Sequence, residues 1–139
     1  SQLEISIITK RENPLDALIS KNGIKLADLP QGATIGTSSL RRSSQLLNYR
    51  NDFKIHPLRG NVDTRLKKVE EGKYDAILLA SAGLNRLGWS NRITEEISHE
   101  IIIPAMGQGA LGIETRLGDS KTYNFISSLK TSASFVFAY

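Results

Sequence analysis

The sequence contains no cysteine among its 139 residues. A chain without thiols forms no disulfide bond, holds no metal ion through thiolates and uses no cysteine nucleophile. Its two histidines, His56 and His99, lie far apart and show no metal-ligand spacing, so we interpret both as structural or surface residues. The sequence therefore predicts no metal site.

Long apolar runs and aromatic residues are also scarce. No apolar run approaches the ~20 residues that a membrane-spanning helix needs, and no signal peptide is visible. Aromatic residues make up 6% of the chain, and acidic side chains are interleaved with the basic ones despite the net charge of +4. Nucleic-acid-binding modules commonly combine a basic stripe with aromatic stacking residues. We therefore expect neither a membrane nor a nucleic acid as partner.

An initiating methionine is missing, since the one methionine is Met106. The run from Phe135 to Tyr139 carries no glycine, proline or charge that would finish a helix or strand. We expect the chain to be a fragment of a longer protein.

The most informative segment is Gly36-Thr37-Ser38-Ser39-Leu40-Arg41-Arg42. A short apolar strand, Ala33 to Ile35, leads into it, and a helix is predicted to begin near Ser39. The free N–H groups and the positive dipole end of a helix start attract a carboxylate or phosphate. Two arginines in the first turn can then hold that anion with charge-assisted hydrogen bonds.

A second strand-to-helix turn follows with the same chemistry. Lys54 to Leu58 is predicted to be a strand, and Val62 to Glu71 a helix capped by Asn61. Arg59 and Gly60 lie in the turn, and Arg65 lies one turn into the helix. Ligands of open α/β sheets bind beyond the carboxyl ends of the strands. The two turns together therefore offer four arginines to an anionic ligand.

Strands and helices alternate along the rest of the chain. Residues 4–9, 76–80 and 101–103 are predicted strands, and residues 14–22 a predicted helix that Asn13 caps and Asn22-Gly23 ends. A short helix bearing Arg86 follows the strand at 76–80 and ends at Gly88. This alternation predicts an α/β fold with a mostly parallel sheet flanked by helices.

Each of these features also has an ordinary structural explanation. An Arg-Arg pair in a first helical turn is more often a solvated face, and the same holds for Arg59 and Arg65. Arg86 alone is typical of a surface residue near a helix C-terminus. Ser38 and Ser39 would serve as helix caps, and capping does not prevent them from binding a ligand. The succession of arginines at neighbouring strand ends favours a functional interpretation.

Four segments in this order and spacing closely resemble the porphobilinogen deaminase family, also called hydroxymethylbilane synthases. They are IGTSSLRRSSQLL, HPLRGNVDTRL, DAILLASAGLNRLG and IPAMGQGALGIETR, and RENPLDALIS is similar to the stretch that precedes them. The resemblance covers nearly the whole chain. It implies a cytoplasmic enzyme of haem (tetrapyrrole) biosynthesis that condenses four porphobilinogen molecules head to tail and releases ammonia.

The resemblance also implies a domain organisation. The first two of the family's three domains resemble the lobes of a periplasmic binding protein, with the active cleft between them. Residues 8–104 would form the second α/β domain. Residues 1–7 and 105–139 would be hinge strands and a return segment that belong to the first domain.

Site residues follow from the matching motif positions. The family's growing chain is attached to a dipyrromethane cofactor, whose pyrrole rings each carry an acetate and a propionate. The residues that resemble its cofactor-binding positions are Thr37, Ser38, Ser39, Arg41, Arg42, Arg59 and Gly60. Those that resemble positions binding porphobilinogen or the growing polypyrrole are Arg59, Arg65, Arg86 and Gln108.

Two essential groups of the family fall outside this sequence. The resemblance places the catalytic aspartate before Ser1 and the cofactor-bearing cysteine after Tyr139, so no catalytic residue is expected within the chain and the chain alone is expected to be inactive. The full-length enzyme is expected to be a monomer. The apolar residues of 110–139 would lack their first-domain partner, so we expect that tail to be disordered or buried against a second copy of the chain.

One alternative remains open at the level of the sequence. A lobe of a non-catalytic, periplasmic-type anion-binding protein would show the same alternation of strands and helices and the same anion-binding turns. A signal peptide in the missing sequence would favour that protein, whereas an upstream aspartate and a downstream cysteine would favour the deaminase.

Overall fold

The computed structural model describes residues 2–130 of the chain. Seven strands and four α-helices lie within that range. The strands are β1 (Leu3–Ile8), β2 (Asp16–Ser20), β3 (Thr34–Gly36), β4 (Lys54–His56), β5 (Ala76–Ala80), β6 (Glu95–Ile97) and β7 (Gly112–Arg116). The helices are α1 (Leu40–Tyr49), α2 (Val62–Glu70), α3 (Ser81–Arg86) and α4 (Ser120–Ile126).

A five-stranded sheet in the order β4-β3-β5-β2-β6 forms the centre of the fold. Strand β3 pairs in parallel with β4 and β5, whereas β2 runs antiparallel to its neighbours β5 and β6. Four strands therefore point one way and β2 points the other way. This arrangement confirms the predicted α/β class with its mostly parallel sheet.

Both faces of this sheet are covered. In β5, Ala76 and Leu78 pack on one face with Leu46 of α1, and Ile77 and Leu79 pack on the other face with residues of α2 and α3. Side chains of a strand alternate between faces, so a strand buried on both sides must be apolar throughout. The apolar sequence of residues 76–80 predicted this position correctly.

The helix predicted for residues 14–22 is wrong, because Asp16–Ser20 is the fully buried strand β2. Asn13 does act as a local cap, with its side-chain oxygen accepting a hydrogen bond from the Leu15 amide at 3.0 Å, but this forms a turn before a strand. Asn22 and Gly23 follow with positive φ and end the segment. The local signals marked the boundaries correctly, and pairing with β5 and β6 decided the conformation between them.

The strand predicted for residues 101–103 is also wrong. The amides of Ile101 and Ile102 both donate to the carbonyl of Ser98, so this segment turns, and Ile102 is buried while Ile103 is exposed. The edge strand is instead β6, which begins with two glutamates. This edge strand has three residues, of which Glu96 is exposed and Ile97 buried, and so short a segment shows no apolar pattern in the sequence.

Strands β1 and β7 form a separate antiparallel pair. The β1 strand agrees with the predicted strand at residues 4–9, and β7 and α4 show regular structure within the return segment. The predicted tail residues Phe135, Val136, Phe137 and Tyr139 lie outside the described residues. The assignment of residues 1–7 and 105–139 to another domain stays a prediction.

Candidate functional site

The turn between β3 and α1 uses its hydroxyl groups to start the helix. Ser39 is the N-cap of α1, and its Oγ accepts a hydrogen bond from the Arg42 amide at 3.4 Å. The Thr37 hydroxyl accepts from the Ser39 amide at 3.2 Å. These bonds fix the path of residues 37–39 and place the two arginines in the first turn of α1.

The turn between β4 and α2 lies beside it, because β3 and β4 are parallel neighbours. Gly60 has φ of +113°, a value that favours glycine, and the Asn61 side chain caps α2 by accepting from the Thr64 amide at 2.9 Å. Arg65 donates from Nε to the Gly60 carbonyl at 2.7 Å. The predicted alignment of two arginine-bearing turns along one sheet edge is therefore confirmed.

An open surface pocket connects the two turns. The residues that line it are Thr37, Ser38, Ser39, Leu40, Ser43, Ile55, Pro57 and Arg59. Within residues 2–130, the guanidinium of exposed Arg59 contacts no hydrogen-bond acceptor or carboxylate. The pocket thus combines hydroxyl groups with an uncommitted positive charge.

Arg41 and Arg42 both contact a carboxylate of the chain itself, that of Asp16 at the start of β2. Arg42 places Nε and Nη2 at 2.9 and 2.7 Å from Oδ1 of Asp16. Arg41 Nη1 lies 2.7 Å from Oδ2, at an angle outside the range of a hydrogen bond. The side chain of Asp16 is 0% exposed, compared with 13% for Arg42 and 25% for Arg41.

Two opposing effects set the pKa of Asp16. Burial raises it, because a carboxylate loses its hydration, and the close contacts and positive charges of Arg41 and Arg42 lower it. The arginines prevail, so the pKa of Asp16 lies below its ordinary value. The cluster therefore holds one negative and two positive charges at neutral pH.

Gln108 joins the same cluster from the loop that follows residue 103. Its Nε2 donates to Oδ1 of Asp16 at 3.0 Å and to the Pro14 carbonyl at 2.5 Å, and its Oε1 accepts from Arg41 at 3.1 Å. Arg41 also donates to the carbonyl of Ile103 at 2.7 Å. Helix α1, strand β2 and this loop are thus linked through one set of side chains.

Arg86 contacts the same loop at another point. Its Nη2 donates to the Gly109 carbonyl at 2.6 Å, and Arg11 donates to the Gln108 carbonyl at 3.0 Å. Each uses one nitrogen for the backbone, so further N–H groups of each guanidinium are left for a ligand.

Seven of the ten predicted residues fall into two groups on either side of the start of α1, whereas Gly60 and Arg65 contact each other in the second turn and Arg86 contacts the loop at Gly109. Arg41, Arg42 and Gln108 meet around Asp16, whereas Thr37, Ser38, Ser39 and Arg59 line the pocket between the turns. Sequence reasoning missed Asp16, which it assigned to the first turn of a helix. The available signal was an aspartate inside the apolar run from Leu15 to Ile19.

Within residues 2–130 no three His, Asp or Glu side chains come together as they would around a metal ion. No helix there is long and apolar enough to cross a membrane.

The chain matches a family described as "Porphobilinogen deaminase, dipyromethane cofactor binding domain" over residues 1–124. It is 56% identical over 117 residues to a porphobilinogen deaminase from Paenibacillus macerans. The aligned region covers 84% of the chain and 36% of that protein. It is 52% identical over 130 residues to a porphobilinogen deaminase from Chlorobium phaeovibrioides. That aligned region covers 94% of the chain and 42% of the relative. The chain thus spans about two-fifths of the length of these relatives.

Among solved structures, the chain is similar to a YaeC-family lipoprotein from Enterococcus faecalis with a TM-score of 0.49 and 16% identity, over 95% of the chain and 63% of that protein. The expected likeness to a periplasmic-binding-protein lobe stays a prediction.

Proposed function

The chain belongs to the porphobilinogen deaminase family, and on this premise we propose that it forms part of a hydroxymethylbilane synthase. That enzyme condenses four porphobilinogen molecules head to tail into hydroxymethylbilane, with release of ammonia, in haem biosynthesis. The chain would contribute the groups that hold the carboxylates of cofactor and substrate. The proposed location is the cytoplasm, and the proposed full-length enzyme is a monomer.

The donors of the site fit a dipyrromethane cofactor. When bound, this group supplies the two-ring primer to which pyrrole units are added. Acetate and propionate side chains give it several negative charges, which need paired cations wherever they leave water. The pocket between the turns offers the hydroxyls of Thr37 and Ser39 beside Arg59, whose guanidinium has no acceptor within residues 2–130. The Ser38 hydroxyl donates to the Leu58 carbonyl, so Ser38 would contribute through its backbone. The Asp16 cluster adds one net positive charge.

We assign the cofactor to the turns and the first helical turn of α1. The residues proposed to hold its carboxylates are Thr37, Ser38, Ser39, Arg41, Arg42, Arg59 and Gly60. Gly60 would contribute its backbone, and its φ of +113° favours glycine at this position of the turn. Capping bonds already hold these residues in place, so binding would require little reordering of the chain.

Incoming porphobilinogen and the growing polypyrrole would bind nearby. The proposed ligands are Arg59, Arg65, Arg86 and Gln108. Arg65 and Arg86 each donate one hydrogen bond to a backbone carbonyl, at Gly60 and Gly109. That bond restricts the rotamers of a long side chain and leaves the other N–H groups of its guanidinium for a carboxylate.

The observation that carries the proposal is the guanidinium of Arg59, which lies among three hydroxyl residues and has no acceptor within residues 2–130. We expect the full-length enzyme to convert porphobilinogen to hydroxymethylbilane and to give the pink colour of bound dipyrromethane with Ehrlich's reagent. Arg59→Leu should lower the loaded fraction, measured by intact mass, and the specific activity. A full-length protein that neither carries the cofactor nor consumes porphobilinogen would refute the proposed function.

Arg92→Leu is the matched control. Arg92 is an exposed arginine that pairs with Glu70, and it lies outside the proposed site. Its substitution should leave cofactor loading and activity near those of the unchanged enzyme. Equal losses in the Arg59 and Arg92 variants would show that the loss reflects general surface charge.

The chain by itself should be inactive. We place the catalytic aspartate and the cofactor cysteine outside it, so the purified 139-residue chain should neither consume porphobilinogen nor react with Ehrlich's reagent. Turnover by the isolated chain would contradict this assignment of the catalytic groups.

A further inference from the structure

Asp16 lies in a position that disfavours a charge. It opens the central strand β2, all five residues of which are buried, and it pairs in register with Ala80 of β5 and Ile97 of β6. A buried carboxylate loses its hydration and must be compensated by paired cations or hydrogen bonds. Burying this carboxylate costs free energy of folding, which indicates that its charge has a function beyond the fold.

The partners of Asp16 exceed what compensation requires. The charge of one arginine would balance that of the carboxylate, and Arg42 alone places two nitrogens, Nε and Nη2, on Oδ1 of Asp16. Arg41 adds a second guanidinium, and Gln108 adds a neutral donor. Two cations around one anion leave a surplus positive charge at the first turn of α1.

The two arginines are committed to different extents. Arg42 is 13% exposed, and its third nitrogen, Nη1, donates to the Leu78 carbonyl at 3.3 Å. Arg41 is 25% exposed, and within residues 2–130 its Nε has no acceptor. Arg42 thus anchors the cluster to the sheet, whereas Arg41 keeps a donor and part of its surface for another anion.

We propose that Asp16 is a positioning residue of the carboxylate-binding site, which holds Arg41 and Arg42 in the geometry that receives a ligand carboxylate and links them to Gln108. This inference rests on the proposed function. Asp16 itself does not contact the ligand, since two carboxylates would repel each other. Its effect is to fix two flexible side chains before the ligand arrives, which lowers the entropic cost of binding.

The test uses the full-length enzyme with Asp16→Asn, which keeps the shape of the side chain and removes its charge. Asp52→Asn is the matched control, because Asp52 also pairs with an arginine, Arg50, at 2.8 Å. We expect the dipyrromethane-loaded fraction, measured by intact mass, to fall about tenfold in the Asp16 variant relative to the control. Among loaded molecules, KM for porphobilinogen should rise about tenfold, with kcat changed less than about threefold.

A second variant separates positioning from charge compensation. Asp16→Glu keeps the negative charge and moves it by one methylene. If Asp16 only compensates charge, the dipyrromethane-loaded fraction should be normal. If Asp16 positions the arginines, the loaded fraction should be reduced. Loading equal to that of the unchanged enzyme in a folded Asp16→Glu or Asp16→Asn variant would overturn the inference. Failure of both variants to fold would also overturn it, because the carboxylate would then serve the fold.

Failure of the proposed function gives a different result. In that case the unchanged full-length protein carries no dipyrromethane and shows no turnover. An active, loaded protein whose Asp16→Asn variant behaves like Asp52→Asn refutes the positioning role alone.

Discussion

The Ser38 hydroxyl bridges to both backbone groups of Leu58. Its Oγ donates to the Leu58 carbonyl at 3.0 Å and accepts from the Leu58 amide at 3.0 Å. One side chain thus makes the pair of bonds that a neighbouring strand would otherwise supply, at the point where β3 and β4 separate. The two turns of the proposed site are held together by this contact.

Ser38→Ala should therefore loosen the second turn. The buried Leu58 amide would lose its acceptor, at a cost of about 1–2 kcal/mol, and its hydrogen exchange should accelerate about tenfold. Hydrogen-exchange mass spectrometry on the full-length protein measures this. Ser43→Ala is the control, because within the described part of the chain, residues 2–130, the Ser43 hydroxyl bonds only to the Leu40 carbonyl of α1. Unchanged exchange at Leu58 in the Ser38 variant would show that the bridge is not significant.

Arg41→Leu or Arg42→Leu should block cofactor assembly in the full-length enzyme. Each removes charge-assisted contacts worth ~1.5–3 kcal/mol and leaves buried carboxylates less well paired. Arg42→Leu should also lower the melting temperature more, because Arg42 makes two of the three hydrogen bonds that Oδ1 of Asp16 accepts. Arg86→Leu should retain more cofactor and impair elongation. Intact mass spectra showing full loading of the Arg41 and Arg42 variants would refute their assignment to the cofactor.

Acid should remove the stability that Asp16 contributes. Because the folded-state pKa of Asp16 lies below its ordinary value of 3.8, the contribution is present above that value and is lost as the pH falls through the folded-state pKa. The difference in melting temperature between the unchanged protein and Asp16→Asn should thus be largest near neutral pH and shrink below about pH 4. Asp52→Asn should show a smaller difference, since the Asp52 side chain is 24% exposed. A difference that grows in acid would be inconsistent with this account.

Gly109→Ala should disrupt the contact between the 103–109 loop and residue 12. Gly109 has φ of +92°, and a Cβ there would lie 2.4 Å from the Glu12 carbonyl oxygen. Backbone atoms cannot move as a side chain would, so we expect a loss of several kcal/mol and of the Arg86 contact to this loop. Gly107→Ala is the control, with φ of +72° and nothing within 4 Å of the added carbon, and should cost about 1 kcal/mol. Thermal unfolding that is equal in the two variants would contradict this prediction.

The isolated chain should self-associate through apolar residues around β1 and β7. Leu3 and Ile5 are 62% and 61% exposed, and Leu117 and Phe125 are 58% and 87% exposed. Exposed apolar patches of this kind mark a missing partner surface. Light scattering on the chain with and without residues 110–139 should show association that depends on those residues. A strictly monomeric chain at high concentration, with residues 110–130 protected from protease, would mean that the predicted domain boundary is mistaken.

Short-range features could be predicted from the sequence because their causes lie within a few residues. Asn61 caps α2 as its position before an apolar periodic segment indicated, and the buried β5 matches its apolar sequence. The two arginine-bearing turns follow from the same local signals. The conformation of Asp16–Ser20 could not be read this way, since turn residues on both sides are compatible with a helix or a strand.

Two things were determined by the sequence alone: the family, through four motifs in order, and the chemistry available at the turns, through the hydroxyl and guanidinium groups placed there. The tertiary structure decided which of these groups are already engaged. Pairing of β2 with β5 brings Asp16 under α1, 26 residues away in sequence from Arg42. The physical reason is that burial and charge pairing depend on contacts between distant segments, whereas caps and turns depend on neighbours along the chain.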